Sequence, residues 1–95
     1  NSPESEELCI KYIQPLEDYD RKYHGELLPT LQEILQNGWN LKESAAGLYI
    51  HYNSIKYRYS KICKVLNLDL ADHNNRSLVE IAMKLYLLKH KPESN

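Results

Sequence analysis

The chain has 95 residues, 42% hydrophobic and 26% charged, which bounds it to one ordinary globular domain with a modest core. No apolar run approaches the roughly 18 residues of a membrane span, and no apolar stretch follows the acidic start as in a secretion signal. The formal charge of −1 hides a polarity: residues 1–40 carry eight acids against three bases, residues 41–64 five bases against one acid, and residues 65–95 four of each.

Residues 1–7 (NSPESEE) are polar and acidic and read as a frayed start. Leu8, Ile10, Tyr12 and Ile13 suggest a short first helix, stopped by Pro15. PLEDYDRKYHG reads as a helical turn and loop, with Pro15 suited to a first helical position. Residues 1–14 are therefore an N-terminal arm with a short helix, and residues 15–90 the main domain. From Glu26 an apolar stripe of Leu27, Leu28, Leu31, Ile34 and Leu35 predicts a helix, with Pro29 tolerated in its first turn. Asn37-Gly38 closes it, Gly38 taking the left-handed cap. Asn40 is a good N-cap for the next helix, with Glu43 placed to complete a capping box.

Residues 41–66 organise the rest. Leu41, Ala45 and Leu48 share one helical face; Ile55, Tyr59, Ile62, Cys63 and Leu66 share another. Only Tyr49, Ile50 and His51 separate them, enough for a tight turn and little else. Ala45 and Ala46 are small where two backbones would cross. This is the pattern of a helix-turn-helix, whose second helix enters the major groove of DNA. The segment 41–64, with a net +4, is also the one positive part of the chain. Asn67 can cap the second helix in the left-handed region, and Asp72 can start a last helix whose expected buried stripe is Leu78, Ile81, Ala82, Leu85 and Leu88. Residues 91–95 read as a disordered tail. The expected fold is all-α, a five-helix domain containing a helix-turn-helix.

With about 100° per residue, the apolar stripe of the second helix turns Asn53, Tyr57, Ser60, Lys61 and Lys64 outward. Only the N-terminal part of a recognition helix reaches base edges. Asn53 is the strongest candidate reader, because its amide can pair bidentately with adenine N6 and N7. Lys56 can reach guanine from the same turn, and Tyr57 a thymine methyl or a phosphate. His51, Tyr52 and Ser54, at the helix start, are placed for phosphates or bases. Lys42, Lys61 and Lys64 lie further out and suit phosphate neutralisation, and Arg58, pointing sideways from the same helix, is counted with them among the DNA-contacting candidates. Each has a structural alternative. Asn53 or Ser54 can cap the helix, Tyr57 and Arg58 can brace the motif, and His51 can cap the turn with its imidazole.

The string IHYNSIKYR, with SAAGL before it and LNLDL after it, resembles the C-terminal helix-turn-helix domain of PucR/CdaR-like bacterial transcriptional regulators. PLEDYD, the pair Thr30-Leu31, and RSLVEIAMKL after LADHN extend the likeness from about Pro15 to Leu88. The core H-x-N-[ST]-x-x-Y-R is the specific part, since helix-turn-helix motifs in general share only an apolar skeleton. Ser54 stands where the family usually has Thr, and Tyr59 where it usually has Leu. The resemblance implies sequence-specific binding of double-stranded DNA as the output domain of a longer regulator, with its sensory region upstream. Homodimers or higher oligomers on paired operator half-sites are the expected assembly.

Nothing resembles a nucleophile elbow, a paired-carboxylate site or a phosphate-cradling glycine loop, so no enzyme, cofactor or metal is expected. The histidines have no metal-ligand spacing. Cys9 and Cys63 make no metal pair; Cys63 falls on an apolar stripe, and a buried free thiol in a reducing cytoplasm is the expectation. The competing reading is a helical protein-interaction module on a helix-turn-helix scaffold, which the acidic remainder and the eight tyrosines would also suit.

Overall fold

Where the chain offers a cap, a helix starts. In the computed structural model, which describes residues 2–90, six helices form: α1 (Pro3–Tyr12), α2 (Gln14–Tyr23), α3 (Leu27–Gln36), α4 (Leu41–Leu48), α5 (Tyr52–Leu66) and α6 (His73–Lys89). Ser2 Oγ accepts from the Ser5 N–H at 3.1 Å, and Glu4 and Glu6 sit in the first turn of α1. Residues 3–7 are therefore helical rather than frayed, since cap and dipole both favour the helix. Asn40 Oδ1 accepts from the Glu43 N–H at 2.9 Å, and Asp72 Oδ1 from the Asn75 N–H at 3.1 Å, as the caps of α4 and α6. The Asn40 box is one-sided, because the Asn40 N–H donates to the Asn37 carbonyl instead. Gly38 (φ 60°) and Asn67 (φ 54°) take the left-handed positions after α3 and α5.

All five expected helices are present, and residues 15–23, read from the sequence as turn and loop, belong to a sixth. Pro15 sits in the first turn of α2, where it interrupts no hydrogen bond. Ile13 alone separates α1 from α2, and Ile13 and Leu16 are both completely buried. Burial of these two side chains holds the helix that local signals left open.

The core has two parts. The larger gathers Tyr12, Ile13 and Leu16 with Leu27 and Leu31 of α3, Ile62 of α5 and Val79, Ala82 and Met83 of α6. The smaller is Ile34, Ala45 and Ile55, where α3, α4 and α5 meet; Trp39 and Tyr59 border both. Ala46, expected at this crossing with Ala45, is exposed. Gly47 of α4 faces the Glu33 carboxylate of α3, which a Cβ there would push aside.

The face of α6 differs from expectation. Of the expected stripe only Ala82 is fully buried; Leu78, Ile81 and Leu88 are exposed and Leu85 is half-buried, while Val79 and Met83 join Ala82 in the core with Tyr86 and Leu87 beside them. Two arcs of α6 are apolar at helical spacing, and the packing of α1 along α6 selects which one is covered. Cys63 is half-buried rather than buried, and both thiols are free. Residues 91–95, expected to be a disordered tail, lie outside the described residues. No described helix is long and apolar enough to cross a membrane.

Candidate nucleic-acid interface

The turn of the motif is made without glycine. Tyr49 closes α4 in the left-handed region (φ 57°, ψ 41°), with the Ile50 N–H returning to the Ala45 carbonyl at 3.0 Å. An L-residue other than glycine pays roughly 1–2 kcal/mol for that conformation. Three residues later the chain is helical again. His51 caps α5: its Nδ1 accepts from the Asn53 N–H at 3.0 Å, so the neutral ring carries its proton on Nε2, on the opposite edge. The structural alternative for His51 is realised, and its outer nitrogen remains a donor.

With His51 as the cap, Asn53 and Ser54 are not needed as caps. Both are exposed, and the Asn53 amide bonds no other described side chain. Tyr57, Ser60 and Lys64 are also exposed, as the angular reading expected, and so are Tyr52 and Lys56, while Lys61, expected outward, is only half-exposed; Ile55 and Ile62 are completely buried on the opposite side. Lys42 of α4 reaches the same surface. The Tyr52 ring lies between the Lys42 and Lys56 ammoniums, 5.8 and 5.1 Å from its centroid. Lys61 is half-buried, 5.7 Å from the Tyr57 ring and 6.0 Å from that of Tyr19 on α2. Aromatic faces hold these cations without neutralising them.

Arg58 stands apart. Its Nη1 donates to Thr30 Oγ1 at 3.0 Å and its Nη2 lies 3.4 Å from Glu26 Oε2, with the side chain 21% exposed. It braces α5 against the start of α3, and its charge is matched by a carboxylate. The other described ion pair joins Arg21 to Asp18. Lys42, Lys56, Lys61 and Lys64 thus have no carboxylate within ion-pair distance among the described residues.

Beside the exposed face of α5 lies an open concavity of about 380 Å³, lined by Gly25, Asn53, Ser54, Tyr57 and Arg58. A Cβ on Gly25 would run into the Tyr19 ring. The loop before α3 is held by Asp20, whose carboxylate accepts from the Leu27 and Leu28 N–H groups at 2.7 and 2.9 Å. Tyr19 and Gly25 border this surface and carry no signal in the sequence. Tyr19 is brought there by α2 and Gly25 by the loop that follows it; Tyr49, in the turn of the motif, is 95% exposed with a left-handed backbone. Among the described residues no group of three or more His, Cys, Asp or Glu could hold a metal ion.

Comparison with known proteins agrees with this geometry. Residues 27–85 match the family described as the PucR C-terminal helix-turn-helix domain. The chain is 34% identical over 81 residues to the proline-responsive transcriptional activator PutR of Bacillus subtilis, covering 85% of this chain and 19% of that protein. It is 27% identical over 73 residues to the DNA-binding transcriptional activator AdeR of the same organism, covering 77% of this chain and 17% of that protein. No solved structure matches it. The chain spans less than a fifth of the length of these relatives, and α1 with α2 lies outside the matched segment while completing its core. A three-residue turn set by Ala45, a histidine-capped second helix with an open polar face, and a family match across α3 to α6 lead to one statement: this chain belongs to the PucR C-terminal helix-turn-helix domain family.

Proposed function

We propose that the chain binds double-stranded DNA in a sequence-specific way, as the output domain of a transcriptional regulator, with α5 in the major groove. The observation that carries this reading is the division of cations on one surface. The arginine of α5 is consumed in bracing, while Lys42, Lys56, Lys61 and Lys64 stay unpaired around Asn53 and Tyr57. A surface of unpaired lysines around an unbonded amide suits a polyanion whose base edges offer both donors and acceptors. The named activity of the relative AdeR, DNA binding, points the same way.

In this reading Asn53 and Lys56 read base edges, and Tyr57 with Ser54 reaches a thymine methyl or a phosphate. His51 through Nε2, Tyr52, Lys42, Lys61 and Lys64 engage the backbone. Arg58 supports the readers from behind. The regulator acts on paired half-sites as a homodimer or higher oligomer.

Selection of duplexes from a random pool, followed by gel shifts between about 50 and 200 mM salt, tests the proposal. Three lysines on the backbone predict that affinity falls with salt with a logarithmic slope of about −3. A pool that yields no enriched sequence, or a binding constant indifferent to salt, would favour a protein partner instead.

A further inference from the structure

At about 100° per residue, Asn53, Tyr57 and Lys64 mark the middle of the outward face of α5, with Tyr52 and Lys56 on one flank and Ser54 and Lys61 on the other. Each flank meets a neighbouring helix through a tyrosine. On the first, the Tyr52 ring is held between Lys56 of α5 and Lys42 of α4. On the second, Lys61 Nζ lies 6.0 Å from the Tyr19 ring of α2, the Tyr19 and Tyr23 centroids are 4.8 Å apart, and Lys22 Nζ lies 5.2 Å from the Tyr23 centroid. Gly25 then lines the concavity beside Asn53, Ser54 and Tyr57. The chain from Tyr19 to Gly25 therefore runs back along α5, from the level of Lys61 towards that of Asn53.

We infer that the C-terminal end of α2 is a second phosphate contact, in which Lys22 and the exposed Tyr23 hold the DNA backbone on the side of α5 away from α4. The contact depends on the DNA-binding reading above, and it lies before residue 27, where the family match begins. A helix in the major groove, which is about 12 Å wide, has one sugar–phosphate backbone on each side. Lys42 and Tyr52 border one of them. Towards the other the motif offers only half-buried Lys61, because Arg58 is turned inward to Thr30 and Glu26. The end of α2 extends the same surface on that side.

Charge supports the same occupant. Residues 14–26 contain four acids, Glu17, Asp18, Asp20 and Glu26, and each is engaged. Glu17 accepts from the Tyr86 hydroxyl, Asp18 pairs with Arg21, Asp20 accepts from the first N–H groups of α3, and Glu26 faces Arg58. Lys22 has no carboxylate within ion-pair distance among the described residues. The Tyr23 ring holds its cation on the exposed end of α2 without neutralising it. A phosphate supplies the charge that this cation lacks.

The test uses the 95-residue chain with selected and random duplexes. Lys22→Gln should weaken binding to both alike, by roughly five- to tenfold near about 0.1 M salt, and make the logarithmic salt slope shallower by about one. Lys22→Arg should keep the wild-type affinity and slope. Both variants should melt with wild type, since Lys22 is exposed. Replacing single phosphates by uncharged methylphosphonates locates the contact. Wild type should show sensitive phosphates on both strands bordering the groove; Lys22→Gln should lose the sensitivity on one strand and Lys42→Gln that on the other. If Lys22→Gln keeps the wild-type slope and phosphate pattern, or loses the same phosphates as Lys42→Gln, α2 does not hold the second backbone, while the DNA-binding reading stands. A wild-type chain that enriches no duplex and ignores salt would remove that reading, and the α2 contact with it.

Discussion

Asn53 and Arg58 lie on the same helix and do opposite work. The Asn53 amide is exposed and free to bond a ligand, whereas the Arg58 guanidinium is bonded to Thr30 and faces Glu26. If Asn53 and Lys56 read bases, Asn53→Ala and Lys56→Ala should each cost about 1–3 kcal/mol on the selected duplex and much less on random DNA. Arg58→Ala should instead lower the melting temperature, through the loss of a bond worth about 1 kcal/mol, and leave the salt slope alone. Equal losses for Asn53→Ala on both duplexes would remove it from the reading set. Tyr86 carries a different prediction. Its hydroxyl donates to Glu17 Oε2 at 2.9 Å, tying α6 to α2, and burial raises its pKa above the ordinary value, with the Glu17 hydrogen bond and charge adding to the rise. A phenol whose folded pKa is raised contributes stability below its unfolded pKa of about 10 and loses it as pH climbs through the folded value. Melting curves between about pH 9 and 11.5 should thus show a steeper loss for wild type than for Tyr86→Phe. Parallel curves would show that the phenol does not feel Glu17.

At the scale of elements, the angle between α4 and α5 depends on one methyl group. Ala45 is 4% exposed and packs with Ile34 of α3 and Ile55 of α5. Ala45→Leu adds volume where two backbones cross, and overpacking of this kind costs about 1–3 kcal/mol. In a domain of this size that lowers the melting temperature by at least about 4 °C. DNA binding should weaken as well, although no surface side chain has changed, because α5 is displaced relative to Lys42. Unchanged melting and binding curves would mean that the helices do not cross at Ala45.

On the scale of the whole molecule, one recognition helix and four unpaired lysines make a weak grip. Suppose one half-site is held at about 10 μM, between the non-specific and specific ranges. Two tethered domains at an effective concentration of about 1 mM would then hold a double site at about 0.1 μM. A longer regulator, such as the relatives of which this chain spans under a fifth, should therefore need two half-sites about one helical turn or a multiple apart. If the isolated chain binds one half-site as tightly as a full-length protein binds two, tethering contributes nothing.

The sequence by itself determined the caps, the turn and the outward face of α5, because each depends on neighbours within a few positions. Asn40, Asp72, Gly38 and Asn67 act where they stand, and the three-residue break at 49–51 needs no distant partner. The stripe of Ile55 and Ile62 fixed which side of α5 is polar, and with it Asn53, Lys56, Tyr57 and Lys64. Only the tertiary structure decided the rest. It made a helix of residues 14–23, because Leu16 is buried among side chains from α1, α3, α5 and α6, which the local signals after Pro15 left open. It turned Arg58 inward to Thr30, 28 positions away, and brought Tyr19 and Gly25 beside the recognition helix. It also chose between two apolar arcs on α6. Period alone cannot rank two stripes that both fit a helix; the choice depends on where α1 lies, which no local pattern encodes.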